Sequence, residues 1–200
     1  CGIAGYIGKS PISNKQVLDT INVMKNRGPD FQDFICFSNA GHFVTLIHSR
    51  LSIIDLDSRS NQPFIRKHCI LVFNGEIYNY IEIRKELESL GAVFKTNSDT
   101  EVLIQSYLYF GENCVNKFEG MWSFALYDKI KNKLFLSRDR FAEKPLYYHE
   151  TASGFYFSSE VKAIKKLCGK NLTVNNNQLF RYLVNGHKSL YKTSETFYDE

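Results

Sequence analysis

The sequence predicts an α+β protein in which helices cover two antiparallel β-sheets. The expected elements are a strand, a helix, strands, helices, and then a series of antiparallel strands followed by a helix. Because strand and helix do not alternate regularly, this order does not indicate a doubly wound parallel sheet. Aromatic residues make up 14% of the chain, as a β-rich core packed by Phe and Tyr requires. The 200 residues show no internal repeat and suit one domain with a sizeable core.

The first half of the chain begins with a strand pattern and continues with a helix pattern. Residues 2–8 are mostly apolar, which predicts a short buried strand that would hold the N-terminus in place. Residues 13–25 place Val17, Ile21 and Met24 on one helical face, with a polar residue available as a cap. Further strands are expected at residues 31–37, 42–48 and 69–73.

The second half changes from a helical period to strict alternation at Met121. Helices are expected at residues 80–90, with Leu90 facing inward, and at residues 98–110; a glycine follows each of them. The expected strands are residues 93–95, 121–128, 133–139, 146–149 and 155–158. Short helices are expected at residues 160–167 and 177–184.

Composition and charge exclude several classes of function. The net charge of +4 is mild and evenly spread, which does not indicate nucleic-acid binding. No stretch approaches the ~20 apolar residues of a membrane span, and the start lacks a signal-peptide pattern. The five cysteines include no CxxC and the five histidines show no metal-ligand spacing, which predicts no metal site and a reducing, cytoplasmic compartment. Cys36, Cys69 and Cys168 are expected to be reduced core residues.

Cys1 combines two chemically useful groups on one residue. Its thiol is a strong nucleophile, and its free α-amine has a reference pKa of about 7.7–8.0, against about 10.4 for lysine. Near neutral pH the amine can therefore act as a base, which lysine mostly cannot. A cysteine in this position can also be without function. The buried strand expected directly after it favours an ordered, catalytic terminus.

Asn74 and Gly75 follow the strand expected at residues 69–73 and are expected to end it. An asparagine amide donates hydrogen bonds through its NH2 group, and a glycine lets a backbone N–H approach a ligand closely. Two such donors directed at one oxygen form an oxyanion hole. The same dipeptide is also typical of a tight turn, and by itself it favours the turn over an oxyanion hole.

Arg50 and Asp99 carry opposite charges that suit the two ends of a free amino acid. Arg50 follows a strand pattern and could bind a carboxylate through its guanidinium fork, although it could also be a surface arginine. Asp99 lies near a helix start, where an aspartate is usually a cap, but it could also bind an ammonium group. Together they predict recognition of an amino-acid head group.

Several motifs occur in a fixed order along nearly the whole chain. They are CGIAG at residues 1–5, RGPD at 27–30, HSRLSIID at 48–55, NGEIYN at 74–79, SDTE at 98–101, FEGMWSFALYD at 118–128, RDRF at 138–141 and SEVKA at 159–163. Together they resemble the class II glutamine amidotransferase domain of asparagine synthetases, an N-terminal-nucleophile hydrolase. The resemblance implies a four-layer αββα sandwich of two antiparallel sheets, in agreement with the element order.

The resemblance also implies a role for each candidate residue. Cys1 would attack the side-chain amide of L-glutamine with its own α-amine as base, through a water, while Asn74 and the Gly75 N–H form the oxyanion hole. Arg50 would bind the α-carboxylate of glutamine. The neighbouring residues implied to line the pocket, which could equally be plain core, are Leu51, Ser52, Ile53 and Ile54. The residues implied to hold the α-ammonium are Glu76 and Asp99.

The sequence departs from the family's pattern next to residues 144–148. Family members commonly have Gly-Ile or a similar pair before Lys-Pro-Leu-Tyr-Tyr, whereas this chain has Ala142 and Glu143 before Lys144. We expect this segment to concern structure or contact with a synthetase domain more than glutamine hydrolysis. The departure weakens the prediction of the acceptor substrate, but it does not affect the prediction of glutamine hydrolysis.

A second domain of the family is absent from these 200 residues. We expect residues 1–200 to be the amidotransferase domain of a longer protein, with a core to about residue 170 and a less regular tail over 171–200. The glutaminase domain would need no cofactor, whereas ATP and Mg are expected in the missing C-terminal synthetase domain, which would be its partner. A homodimer is compatible with the resemblance. The alternatives are an amidotransferase acting on another carboxylate, of a sugar or a peptide, and an inactive glutamine-binding scaffold.

Overall fold

Two antiparallel sheets pack face to face in the computed structural model, which describes residues 1–189 and 193–199. The first sheet contains, in spatial order, β2 (Phe31–Asn39), β3 (His42–Arg50), β1 (Gly2–Gly8), β9 (Gly154–Ser158) and β8 (Tyr147–Thr151). The second sheet contains β4 (Phe64–Arg66), β5 (Cys69–Ile77), β6 (Gly120–Asp128) and β7 (Lys133–Arg138). All of the neighbouring strands pair antiparallel, so the predicted pair of sheets is confirmed.

Helices cover the outer face of each sheet. The first sheet is covered by α1 (Asn14–Met24) and α4 (Val161–Cys168), and the second by α2 (Tyr80–Ser89) and α3 (Asp99–Phe110). A fifth helix, α5 (Asn176–Asn185), follows α4. Short 3-10 helices lie at Lys25–Arg27, Ser58–Ser60, Gly111–Lys117 and Gly186–Ser189. The layers are therefore helix, sheet, sheet and helix, which confirms the αββα prediction.

Successive side chains of the central strands pack alternately between the two sheets and against the covering helices. Ile3 points between the sheets, whereas its neighbour Ala4 points to α1 and α4, since successive strand side chains face opposite sides. The layer between the sheets is formed by Ile3, Val44, Leu46, Ile70, Val72, Ala125, Tyr127 and Phe157. Each large side chain buried there contributes roughly 1.5–3 kcal/mol of hydrophobic free energy. The central strand β1 is thus fixed on both faces, and it carries Cys1 at its start.

Two serines determine where α1 and α3 begin. The Ser13 hydroxyl accepts a hydrogen bond from Gln16 N, and the Gln16 side chain accepts one from Ser13 N, which forms a capping box. The Ser98 hydroxyl accepts a hydrogen bond from Glu101 N at 3.2 Å. The cap of α3 is therefore Ser98, and the carboxylate of Asp99 is available for another role.

The structure corrects the expected end of the strand before Asn74. β5 continues through Asn74 and Gly75, which pair with Ser123 and Trp122 of β6. A Cβ atom at residue 75 would lie 2.2 Å from the Met121 carbonyl oxygen, so this glycine permits close strand packing instead of a turn. The turn interpretation of Asn-Gly is wrong here.

Two further expectations around α2 and α3 are wrong. Leu90 is 52% exposed, because α2 ends at Ser89 before Leu90 can turn inward. Residues 93–95 do not form a strand. Their backbone is bound by side chains instead, since Lys95 N donates to Glu101 and the Val93 carbonyl accepts from Gln105.

The remaining differences concern short or exposed features. The three-residue edge strand β4 and the 3-10 helix Gly111–Lys117 were not expected from the pattern. Cys69 is buried as predicted, but Cys36 is exposed and Cys168 is half-buried, so the core prediction is wrong for these two. Among the described residues, none of the helices is long and apolar enough to cross a membrane.

Candidate active site

Cys1 is held at the end of the central strand by contacts on both sides. Its Sγ lies 3.4 Å from Leu51 N, which donates to it, and 3.4 Å from the Leu51 carbonyl oxygen. Arg27 Nε donates to the Cys1 carbonyl oxygen at 3.0 Å. An N–H directed at the sulfur favours its thiolate form. The terminus is therefore ordered, as the buried-strand pattern predicted.

The α-amine of Cys1 has a lowered pKa, a property that suits a base near neutral pH. Burial lowers the pKa of this amine to about 6, with smaller contributions from the positive charges of Arg27 and Lys144, while Asp30 acts in the opposite direction. At neutral pH the amine is mostly unprotonated, because its pKa lies below the ambient pH.

The turn at residues 27–30 connects Cys1 to the segment after β3. A Cβ atom on Gly28 would lie 2.2 Å from the Ser49 carbonyl oxygen, so only glycine fits this approach. Asp30 N donates to the Arg50 carbonyl at 3.1 Å, and the Asp30 carboxylate accepts from Ser52 N at 2.8 Å. This turn therefore sets where the chain passes beside the Cys1 thiol.

Asn74 presents an unpaired amide donor. It is 2% exposed, and its Nδ2 has no hydrogen-bond partner within the described part of the chain. A buried polar group without a partner is costly, so such a donor is suited to a transient ligand such as an oxyanion.

Sequence reasoning missed two residues that fix the backbone next to Asn74. Gln62 acts like a strand partner, since its Oε1 accepts from Phe73 N at 2.6 Å and its Nε2 donates to the Phe73 carbonyl at 3.3 Å. His48 Nε2 lies 3.0 Å from the same carbonyl. Burial lowers the pKa of His48 to about 3, so the ring is neutral and must carry its proton on Nε2 to donate. His48 lies in a quoted motif, but nothing in the pattern pointed to its inter-sheet bond.

Arg50 is buried and already organises the loop that follows it. Its Nη1 donates to the Asp57 carbonyl at 3.2 Å and to Asn61 Oδ1 at 2.5 Å, and its Nη2 donates to the Asp55 carbonyl. These bonds use three of the five N–H donors of a guanidinium. The Nε–H and one Nη2–H make no hydrogen bond to any described residue and can still bind a carboxylate.

Asp99 is a buried carboxylate that has no cationic partner among residues 1–189 and 193–199. Its Oδ2 accepts from Ile77 N at 3.1 Å, and the side chain is only 5% exposed. Burial raises the pKa of Asp99 to about 6, and the charge of Glu76 adds to the effect. A bound ammonium group would favour the ionised form, which burial disfavours.

These groups surround one cavity of about 100 Å³. Of the predicted residues, it is lined by Cys1, Arg50, Leu51, Ile53, Ile54, Asn74, Gly75, Glu76 and Asp99. Ser52 does not line it, and its backbone N–H instead donates to Asp30. The lining residues that sequence reasoning missed are Ser60, Gln62, Phe73, Thr100 and Lys144.

One other cluster has side chains of the types that bind metals. Within the described ranges, ligand atoms of His68, Cys69 and Asp128 lie within 4.8 Å of one another. Both Asp128 oxygens already accept hydrogen bonds, and burial raises the pKa of the Cys69 thiol to about 12. These hydrogen bonds already use the carboxylate of Asp128, and we assign no metal to this cluster.

Comparison with known proteins gives consistent relatives. Residues 1–200 match the family described as glutamine amidotransferase domain. Two Bacillus subtilis proteins, asparagine synthetase (glutamine-hydrolyzing) 3 and 1, are each 37% identical over 82% of this chain, covering 27% and 26% of their own lengths. The chain thus spans less than half the length of the curated relatives it matches.

A solved structure shares the fold. Glutamine phosphoribosylpyrophosphate amidotransferase from B. subtilis, complexed with ADP and GMP, aligns with a TM-score of 0.69 over 84% of this chain and 44% of its own. Sequence identity is 18%, so this likeness supports the architecture alone.

Proposed function

The chain belongs to the glutamine amidotransferase domain family, and we propose that it hydrolyses glutamine to glutamate and ammonia through a thioester on Cys1. One observation supports this most strongly. A single cavity holds a nucleophile with its base, an amide donor without a hydrogen-bond partner among the described residues, and a buried carboxylate without a cationic partner among them. These are the parts that acyl transfer from an amino-acid amide requires.

The chemistry follows from the groups around Cys1. The neutral α-amine takes the thiol proton, and the sulfur attacks the side-chain amide carbon of glutamine. Asn74 Nδ2 and the Gly75 N–H stabilise the resulting oxyanion. The protonated amine then gives its proton to the departing nitrogen, and ammonia leaves a glutamyl thioester. A water, deprotonated by the same amine, hydrolyses the thioester to glutamate and regenerates the thiol.

Substrate recognition uses the charged groups that line the same cavity as Cys1. Asp99 and Glu76 bind the α-ammonium of glutamine, and the two remaining N–H donors of Arg50 bind its α-carboxylate. The apolar pocket walls and the loop fixed by Arg50 hold the substrate side chain toward Cys1. An uncharged amide lacking the head group would lose both contacts.

The names of the relatives suggest the fate of the ammonia. We propose that a synthetase domain outside these residues uses ATP and Mg to activate an acceptor carboxylate, with asparagine as the product. Transfer to another carboxylate, of a sugar or a peptide, is the alternative. All five cysteines are free, which supports a reducing, cytoplasmic compartment.

The test is glutamate release from glutamine by the purified protein. Cys1→Ala should abolish release, whereas the matched control Cys36→Ala, at an exposed cysteine outside the cavity, should retain it. Glutamate release by Cys1→Ala at the rate of the unaltered protein would contradict the proposal.

A further inference from the structure

Lys144 reaches the cavity from a loop whose backbone is tightly fixed. The buried carboxylate of Asp139 accepts hydrogen bonds from four backbone N–H groups, those of Phe141, Glu143, Trp122 and Lys144. The Lys144 carbonyl in turn accepts from Arg138 Nε at 2.7 Å. Because these bonds use only the backbone of Lys144, its side chain is free to act elsewhere. It lines the same cavity as Cys1.

The position of Lys144 changes the interpretation of its segment. The sequence predicted that the segment at residues 142–148 concerns structure or contact with a synthetase domain more than glutamine hydrolysis, and the structure places Lys144 of that segment in the lining of the Cys1 cavity. The side chain is half-buried, and its Nζ makes no ion pair or hydrogen bond with any residue of 1–189 or 193–199. An uncompensated positive charge therefore faces the reaction site.

We propose that Lys144 is a positioning residue for the base: its ammonium group, in the same cavity, adds to burial in favouring the neutral form of the Cys1 α-amine, which accepts the thiol proton. The inference rests on the proposed function of Cys1 and adds a residue to it. Two neighbouring positive charges disfavour each other, so a fixed ammonium beside the amine favours loss of the amine's proton.

Lys144 is one of two cations that lower the pKa of the amine, and the effect of Arg27 is the larger. Arg27 differs from Lys144 in its contacts, since its guanidinium lies 3.5 Å from Glu160 and donates to the Cys1 carbonyl. Asp30 acts in the opposite direction. Across the cavity lie Arg50, Glu76 and Asp99, and the neighbouring His48 ring is neutral. The lowered pKa of the amine is consistent with this balance.

The test compares charge variants at one position. Lys144→Met removes the charge, Lys144→Arg keeps it and Lys144→Glu reverses it, while Lys85→Met is a control at an exposed lysine outside the cavity. The titration of the Cys1 α-amine is followed through the 13C NMR chemical shift of the adjacent α-carbon, in the protein without glutamine. The pH dependence of kcat for glutamate release is measured at saturating glutamine, where Asp99 is already paired.

We expect Lys144→Met to move the amine titration and the acid limb of kcat upward by about half a pH unit. A unit charge a few ångströms away in water contributes at most about 1 kcal/mol, or about 0.7 pKa units, and greater separation and ionic screening reduce this. Lys144→Glu should shift both by about twice as much, and Lys144→Arg and Lys85→Met should shift neither.

Three results would overturn the inference. The titration could be unchanged in Lys144→Met, Lys144→Arg could shift it as much as Lys144→Met does, or kcat could fall with no shift in its pH dependence. If the unaltered protein released no glutamate, the proposed function would fail. The NMR titration would still decide the role of Lys144.

Discussion

Replacing Asp99 by asparagine should weaken glutamine binding and, at the same time, raise the stability of the folded protein. Burial raises the pKa of this carboxyl from 3.8 to about 6. Two pKa units correspond to about 3 kcal/mol, which is the penalty for keeping Asp99 ionised in the folded protein at neutral pH. Asparagine carries no charge and can still accept the hydrogen bond from Ile77 N. The variant should therefore be more stable and bind glutamine poorly.

The sign of this effect depends on pH. The folded protein holds the Asp99 proton between about pH 4 and pH 6, where the unfolded chain has released it. The contribution of Asp99 to the unfolding free energy is therefore at its maximum below about pH 4, and it is lost as the pH rises through 6. Asp99→Asn does not lose this contribution. Its unfolding free energy should therefore exceed that of the unaltered protein by an amount that grows between about pH 4 and pH 6 to about 3 kcal/mol and stays constant above that range.

The assay is urea unfolding at several pH values, with and without glutamine. Asp139→Asn is a matched control, because hydrogen bonds from four backbone N–H groups lower the pKa of that buried carboxyl, and its loss should be destabilising at neutral pH. Glutamine should stabilise the unaltered protein and have little effect on Asp99→Asn. A less stable Asp99→Asn variant at neutral pH, or an advantage that does not vary with pH, would refute the reasoning. Equal weakening toward glutamine and an analogue without the α-amine would also refute the ammonium site.

Three other changes test the remaining parts of the site. Asn74→Ala should lower kcat by roughly 10²–10³ while glutamine binding changes little, since the donor acts mainly in the transition state; a loss confined to binding would instead make Asn74 a positioning group. A methionine left ahead of Cys1 should remove activity although the thiol remains, because an amide cannot serve as the base; full activity with the extension confirmed by intact mass would contradict this. Ala142 has φ of +58°, so Ala142→Gly should raise the unfolding free energy by up to about 1 kcal/mol, whereas Ala152→Gly in an exposed turn without a positive φ should lower it.

The sequence predicted much of the fold because its local patterns agree with the tertiary packing. The apolar run of β1, the alternation along β6 and the polar residues before α1 and α3 depend on neighbouring residues, which a pattern can show. The proposed nucleophile could also be predicted, because Cys1 precedes a clear strand. Local information of this kind does not require knowledge of the fold.

The features that were missed depend on contacts between distant residues. The sequence pattern at Asn74 and Gly75 favoured a turn. Only the close approach of the Met121 carbonyl oxygen shows why β5 needs a glycine at residue 75. Lys144 lines the cavity of Cys1 because the loop before it is folded around the carboxylate of Asp139. No spacing in the chain indicates such a fold-dependent contact. In this segment the sequence departs from the family pattern at Ala142 and Glu143, whereas Lys144 matches the pattern.

The most direct test of the account is to capture the covalent intermediate on Cys1. The protein is mixed with glutamine, quenched in acid during turnover and digested, and the N-terminal peptide is examined by mass spectrometry. The account predicts a glutamyl thioester on Cys1 that forms and decays at rates consistent with glutamate release, and that is absent from Cys1→Ala. Glutamate release with no adduct on Cys1, or with the adduct on another cysteine, would contradict it.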